Sequence, residues 1–120
     1  MRTRSPLLAV TLLVAIHALP AGAACKEKRS RDPSFIELAV PDGAIRPVAA
    51  QDFAFVNDET TYEQLVAKVG PPDASQGTRI SQFIWCFADG TELGVFTRDQ
   101  VAIEQIRHNG KLVYKRTKKK

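Results

Sequence analysis

Histidine is nearly absent from this 120-residue chain: His17 and His108 are the only two. His17 falls inside an apolar run, so His108 alone is left to the folded part, beside a hairpin turn where an exposed polar residue needs no further explanation. With one histidine and two cysteines there is no cluster of recognisable metal-ligand spacing. No serine stands in a nucleophile-elbow context, and no glycine-rich loop precedes a helix. Long hydrophobic runs are missing too. The longest, Leu7 to Leu19, rises only about 20 Å as a helix, short of the roughly 30 Å of a bilayer core. Carboxylates are present but fall where structure accounts for them. Asp58 and Glu59 precede a helix, where the macrodipole favours negative charge, and Asp89 and Asp99 sit in turns. Glu92 and Glu104 lie on strand faces, either as a solvated surface or as an acid pair across the sheet. The inventory reads as a non-enzyme with no catalytic residue, cofactor or metal.

What is present begins with an address label. Arg2 and Arg4 precede the apolar run "LLAVTLLVAIHAL", Pro20 breaks it, and "AGAA" supplies the small-x-small pattern of a signal-peptidase site. Residues 1–24 are therefore expected to be a signal peptide, cut after Ala23 or Ala24. The protein is expected in the periplasm or outside the cell. Cys25 then has two readings. In an oxidising compartment it pairs with Cys86, and closing a loop across 61 positions contributes about 4 kcal/mol in the chain-entropy model. Alternatively Cys25 carries a lipid and the protein is an outer-membrane lipoprotein, although Gly22 stands where a lipobox has leucine.

Positive charge is concentrated at the ends. Without Arg2 and Arg4 the chain has 15 cationic against 13 acidic side chains, and "KLVYKRTKKK" holds six of the cations. The central part is thus mildly acidic. Lys115, Arg116, Lys118, Lys119 and Lys120 are candidate contacts to an anionic surface, lipid head groups or an acidic protein patch, or else form a solvated tail. An exported protein meets little nucleic acid, and none is expected as a partner.

The remaining residues make one small domain. Residues 25–56 read as a charged linker followed by an edge strand at Phe35 to Val40, with "PDG" and "RP" as turns. In "NDETTYEQLVAKVGPPD" Thr60 and Glu63 predict a capping box, and Tyr62, Leu65, Val66 and Val69 form one apolar stripe. Gly70 and the two prolines end the helix. "RISQFIWCF", "TELGVFT", "VAIEQIRH" and "KLVYK" follow, joined by "ADG", "RDQ" and the hairpin dipeptide Asn109-Gly110. The expected fold class is α+β: a short helix packed on a three- to four-stranded antiparallel β-meander over residues 57–115, with a basic tail at 116–120. Phe83, Trp85, Phe87 and Phe96 either fill the core or leave an exposed patch. In the second case Trp85, Phe83 and Phe96 are the candidate partner surface.

The order of these elements resembles the SmpA/OmlA (BamE-like) module, and is similar to the repeats of β-lactamase inhibitor proteins. The resemblance rests on "TTYEQLVAKVGPPD", on "FIWCFADG" with Trp85 and Phe87, on "ELGVF" with Leu93, Val95 and Phe96, and on "VAIEQI". It covers residues 57–108. The family's usual first helix has no counterpart in residues 34–56. The resemblance implies a small exported adaptor that binds another envelope protein, or alternatively an inhibitor of a periplasmic or secreted enzyme.

Overall fold

The computed structural model describes residues 21–117; most of the expected signal peptide and the tail residues Lys118 to Lys120 lie outside them. Helix α1 (Ala21–Ser30) is followed by the two-residue strand β1 (Ile36–Glu37), a 3-10 turn (Ala50–Phe53) and helix α2 (Tyr62–Val69). Then come β2 (Ala74–Gln76), β3 (Ile80–Cys86), β4 (Glu92–Arg98), β5 (Ala102–His108) and β6 (Lys111–Lys115). The six strands form one antiparallel sheet in the order β1-β2-β3-β4-β5-β6.

This corrects the expected class. The molecule is mostly β, and its sheet has six strands rather than three or four. The meander from β3 to β6 follows the turn signals, but "ASQ" carries no apolar alternation and reads as loop. It is made a strand by its partners: Ala74 stands opposite Ile84, Ser75 opposite Phe83 and Gln76 opposite Gln82. β1 then adds at the edge, with Ile36 opposite Ser75. It keeps only two of the six residues expected to be extended.

Residues opposite one another on antiparallel strands share a face. One face presents Phe83, Trp85, Leu93, Val95, Ile103 and Ile106, and α2 lays Leu65 and Val69 against it, with Phe53 and Val56 closing the core. Phe53 meets Trp85 edge-on at 5.2 Å, and Tyr62 stacks on Phe83 at 4.3 Å. The opposite face carries Gln82, Ile84, Gly94, Phe96, Gln105 and Arg107, and α1 lies beside β1 and β3.

The helix cap is displaced by one residue from the expected Thr60 and Glu63. Thr61 accepts from the Gln64 amide at 3.1 Å, and the Gln64 side chain accepts from the Thr61 amide at 3.0 Å. Thr60 is used elsewhere: its hydroxyl accepts the Asn57 amide at 3.0 Å. The Tyr62 amide donates to the Val101 carbonyl at 2.8 Å, which fixes where the helix can start.

Gly70 ends the helix and joins three segments. Its amide donates to the Val66 carbonyl at 2.8 Å, and its own carbonyl accepts the Trp85 indole at 3.1 Å. Its φ is +96°, and a Cβ there would overlap the Ile45 carbonyl. Gly70→Ala is therefore expected to destabilise the protein by about 2 kcal/mol or more, read as a lowered thermal midpoint. An unchanged midpoint would show that the loop carrying Ile45 does not press on the helix terminus.

Candidate functional site

The charged residues nearest the N-terminal segment are spoken for by structure. Asp73 has a side chain only 5% exposed, and Arg46 donates to both its oxygens at 2.9 and 2.8 Å. The Cys86 amide adds a bond at 2.8 Å, and the Lys26 ammonium stands 3.7 Å away. Cys25 and Cys86 form a disulfide with their Cα atoms 5.7 Å apart. Arg29 grips Glu92 with two nitrogens, one at 3.1 Å, and stacks over the Phe35 ring. Three contacts thus hold α1 on the sheet: a covalent bridge and two ion pairs.

The remaining sequence candidates are dispersed. Glu104 faces Arg98 at 3.4 Å while Glu92 is held by Arg29, so each of the two strand carboxylates has its own arginine. His108 bonds the Thr91 hydroxyl at 3.1 Å and lies edge-on to Phe87. Thr91 in turn donates its hydroxyl and its amide to Asp89, which hold that carboxyl below its ordinary range. These are turn contacts. Among the described residues no three of His, Cys, Asp and Glu gather as a metal site, and no helix is long and apolar enough to cross a membrane.

The expected partner surface is divided. Trp85 and Phe83 are core residues, a correction with a simple cause: they alternate onto the face that α2 covers, so they present nothing to a partner. Phe96 points the other way and is half-buried. Of the basic candidates, Lys115 is exposed at the end of β6. Arg116 is tied by its amide to the Glu104 carbonyl at 2.8 Å. Lys118, Lys119 and Lys120 lie outside the described residues.

Sequence reasoning missed the concavity. Ala50, Gln51, Phe53, Ala54, Val56, Ile106, Val113 and Tyr114 line a cleft of about 320 Å³, at the small end of ligand-sized sites. Its floor is the core itself. Its rim comes from an irregularity: Ile106 pairs with Tyr114 and Arg107 with Leu112, leaving Val113 as the extra residue of a β-bulge. The bulge turns Val113 outward, 55% exposed, and re-aiming a side chain is what bulges do. A second apolar projection lies in the loop before the 3-10 turn, where Ile45 and Val48 are 60% and 80% exposed. That loop is pinned by Arg46, which also donates to the Pro71 carbonyl at 2.6 Å, and by Asp52, which accepts the Val48 and Ala49 amides at 2.7 and 3.3 Å. Neither feature is marked by a motif; both follow from packing.

No protein-family model, curated protein or solved structure matches this chain.

The wall of the cleft has a titration signature. Burial raises the Tyr114 phenol to about 12, and its 2.6 Å bond to Asp58 works in the same direction. Burial also raises Tyr62. A raised phenol means the neutral form is favoured in the fold. Its contribution to stability is complete below the unfolded value of about 10 and is lost as pH rises through the folded one. Both tyrosines of the chain are thus expected to stay protonated at about pH 10.5 in the native protein, and to ionise at that pH on adding guanidinium. Absorbance at 295 nm reads this; half-ionisation of native protein near pH 10 would contradict the packing of both rings.

Proposed function

We propose that this chain is an exported, non-enzymatic binding module, an adaptor of the cell envelope that docks a partner protein in the cleft rimmed by Val113. The leader pattern and the resemblance to the SmpA/OmlA module support the compartment and the role. The Cys25–Cys86 bridge agrees with an oxidising environment. The cleft carries the reading: it is an apolar hollow with a preformed floor of Phe53, Val56 and Ile106 and a rim of Val113 and Tyr114, open at the surface. A partner fits it by inserting one aliphatic or aromatic side chain. Such buried anchors supply most of the energy of an interface. A photoreactive amino acid at Val113 in intact cells is expected to give one discrete adduct, which the same probe at exposed Thr78 does not. Val113→Asp is expected to weaken capture by about tenfold or more at an unchanged thermal midpoint. Equal, diffuse labelling from both positions would remove the proposal.

The pinned loop favours a second reading, inhibition of a secreted or periplasmic enzyme. Ile45 and Val48 stand out from a backbone already held in place, so little entropy is lost when they enter an active-site groove. Under this reading Val48→Asp relieves inhibition of a co-exported hydrolase and Val113→Asp does not; under the adaptor reading the two variants exchange roles in partner capture.

A further inference from the structure

Helix α1 stands outside the core: no residue of it belongs to the packed cluster beneath α2. Of its side chains from Cys25 to Ser30 only Cys25 is buried; Lys26, Glu27, Lys28 and Ser30 are exposed and Arg29 is half-buried. At ten residues, with Gly22 near its start, it is shorter than the roughly 12–15 residues an isolated helix needs to persist in water. The contact between Lys26 and Asp73 is 3.7 Å long with the ammonium 56% exposed, so it holds little. Arg29 and Glu92 form the closer pair, with Arg29 stacked over Phe35. Both charges return to water together when the helix lifts, however, and neither is left buried alone. What then fastens α1 is the bridge from Cys25 to Cys86. The sheet has no matching need of the helix. Asp73 keeps the Arg46 guanidinium and the Cys86 amide without it, and the core is closed by α2, the 3-10 turn and β3 to β5.

We propose that α1 is a redox-fastened strap. Bridged, it closes one end of the sheet; reduced, it lifts away as a flexible segment while the rest of the domain stays folded. Opening withdraws Lys26 and Arg29 from a hollow of about 140 Å³ that they line together with Glu37 and Asp73. At this corner the docked strap sets Lys26, Arg29 and Arg46 against Glu37, Asp73 and Glu92. Without it, Arg46 alone faces the three acids, so the same step that frees the segment turns the corner acidic. The reductant is a dithiol, the class that exchanges protein disulfides. Its thiolate attacks the sulfur of Cys86, the more exposed of the two cysteines. Cys25 leaves as a thiolate and takes up a proton. The second thiol of the reductant then displaces Cys86, which is protonated in turn, and the reductant departs as a disulfide. The strap is on the other face of the sheet from the cleft and rests on no part of the adaptor reading.

The test is hydrogen exchange of the full chain, read by mass spectrometry before and after dithiothreitol, with alkylation to count thiols. The native protein is expected to yield two thiols. Exchange over residues 26–31 should then quicken about tenfold or more, while β3, β4 and β5 keep their protection. The double variant Cys25→Ser with Cys86→Ser should exchange fast over residues 26–31 without reductant and show no response to it. A bridge that resists dithiothreitol until the whole protein unfolds would overturn the proposal. So would slow exchange over residues 26–31 in the reduced protein or the double variant, which would assign the hold to the ion pairs. Loss of protection in β3 to β5 along with α1, or a double variant that does not fold, would overturn it by making the bridge a part of the fold.

Discussion

A single buried carboxylate joins the irregular N-terminal half of the molecule to its sheet. Asp73 receives the Arg46 guanidinium from the loop, the Cys86 amide from β3 and the Lys26 ammonium from α1. Its backbone takes the first rungs between strands, donating to the Ile84 carbonyl at 2.7 Å and accepting the Leu38 amide at 3.0 Å. Removing one partner of a buried ion pair costs roughly 3–5 kcal/mol, because the other charge is left without solvent. The carboxylate therefore makes the loop from 41 to 49, the two short strands and α1 interdependent. The disulfide acts on the same place: Cys86 gives its amide to Asp73 and its sulfur to Cys25. Covalent and electrostatic constraints converge on one end of β3, and this lets strands of two and three residues persist where neither would alone.

That convergence explains what a reader of the sequence can and cannot see. The β3–β6 meander is legible because each strand carries period-two apolarity and each turn its own chemistry. Asn109 and Gly110 both have positive φ, as the hairpin dipeptide requires. The helix stop at Gly70 is legible for the same reason. The edge strand expected at Phe35 to Val40 is there but shortened to Ile36–Glu37, and β2 is not legible at all, since "ASQ" has no pattern of its own and owes its conformation to its partners and to Asp73. The capping box is off by one residue because a threonine pair offers two equivalent caps, and a tertiary bond to Val101 selects between them. The aromatic strand is the instructive case. Phe83, Trp85 and Phe87 alternate with Ile84 and Cys86, so sequence shows two apolar faces but not which one α2 covers.

The two sides of the sheet differ in kind. On the core side, the 3-10 turn stops short of the β6 edge and leaves a hollow whose floor is already packed. On the other side, α1 occupies one end, over Cys86 and Glu92, and the rest carries Ile80, Ile84 and Phe96 among amides and charged side chains. A sheet of this size has too little chain to cover both faces with helices, and the uncovered area must be either polar or used. Its composition here is mixed: Leu, Val and Ile dominate the core face, whereas on the other Ile80, Ile84 and the half-buried Phe96 sit among glutamines and charged side chains.

The edge at β6 shows how protection and binding can share one device. An exposed edge strand with Leu112 and Val113 invites pairing with another chain. Lysines at both ends and a bulge in the middle oppose this, the first by charge and the second by breaking the straight run of unpaired amides and carbonyls. The same bulge is what tips Val113 onto the rim of the cleft. A regular strand would bury that side chain on one face or present it on the other, and the hollow beneath Tyr114 would lose its rim. Under the adaptor proposal, the irregularity that keeps this edge from pairing with other strands would also direct association to side-chain insertion, which discriminates between partners by shape rather than accepting any extended chain.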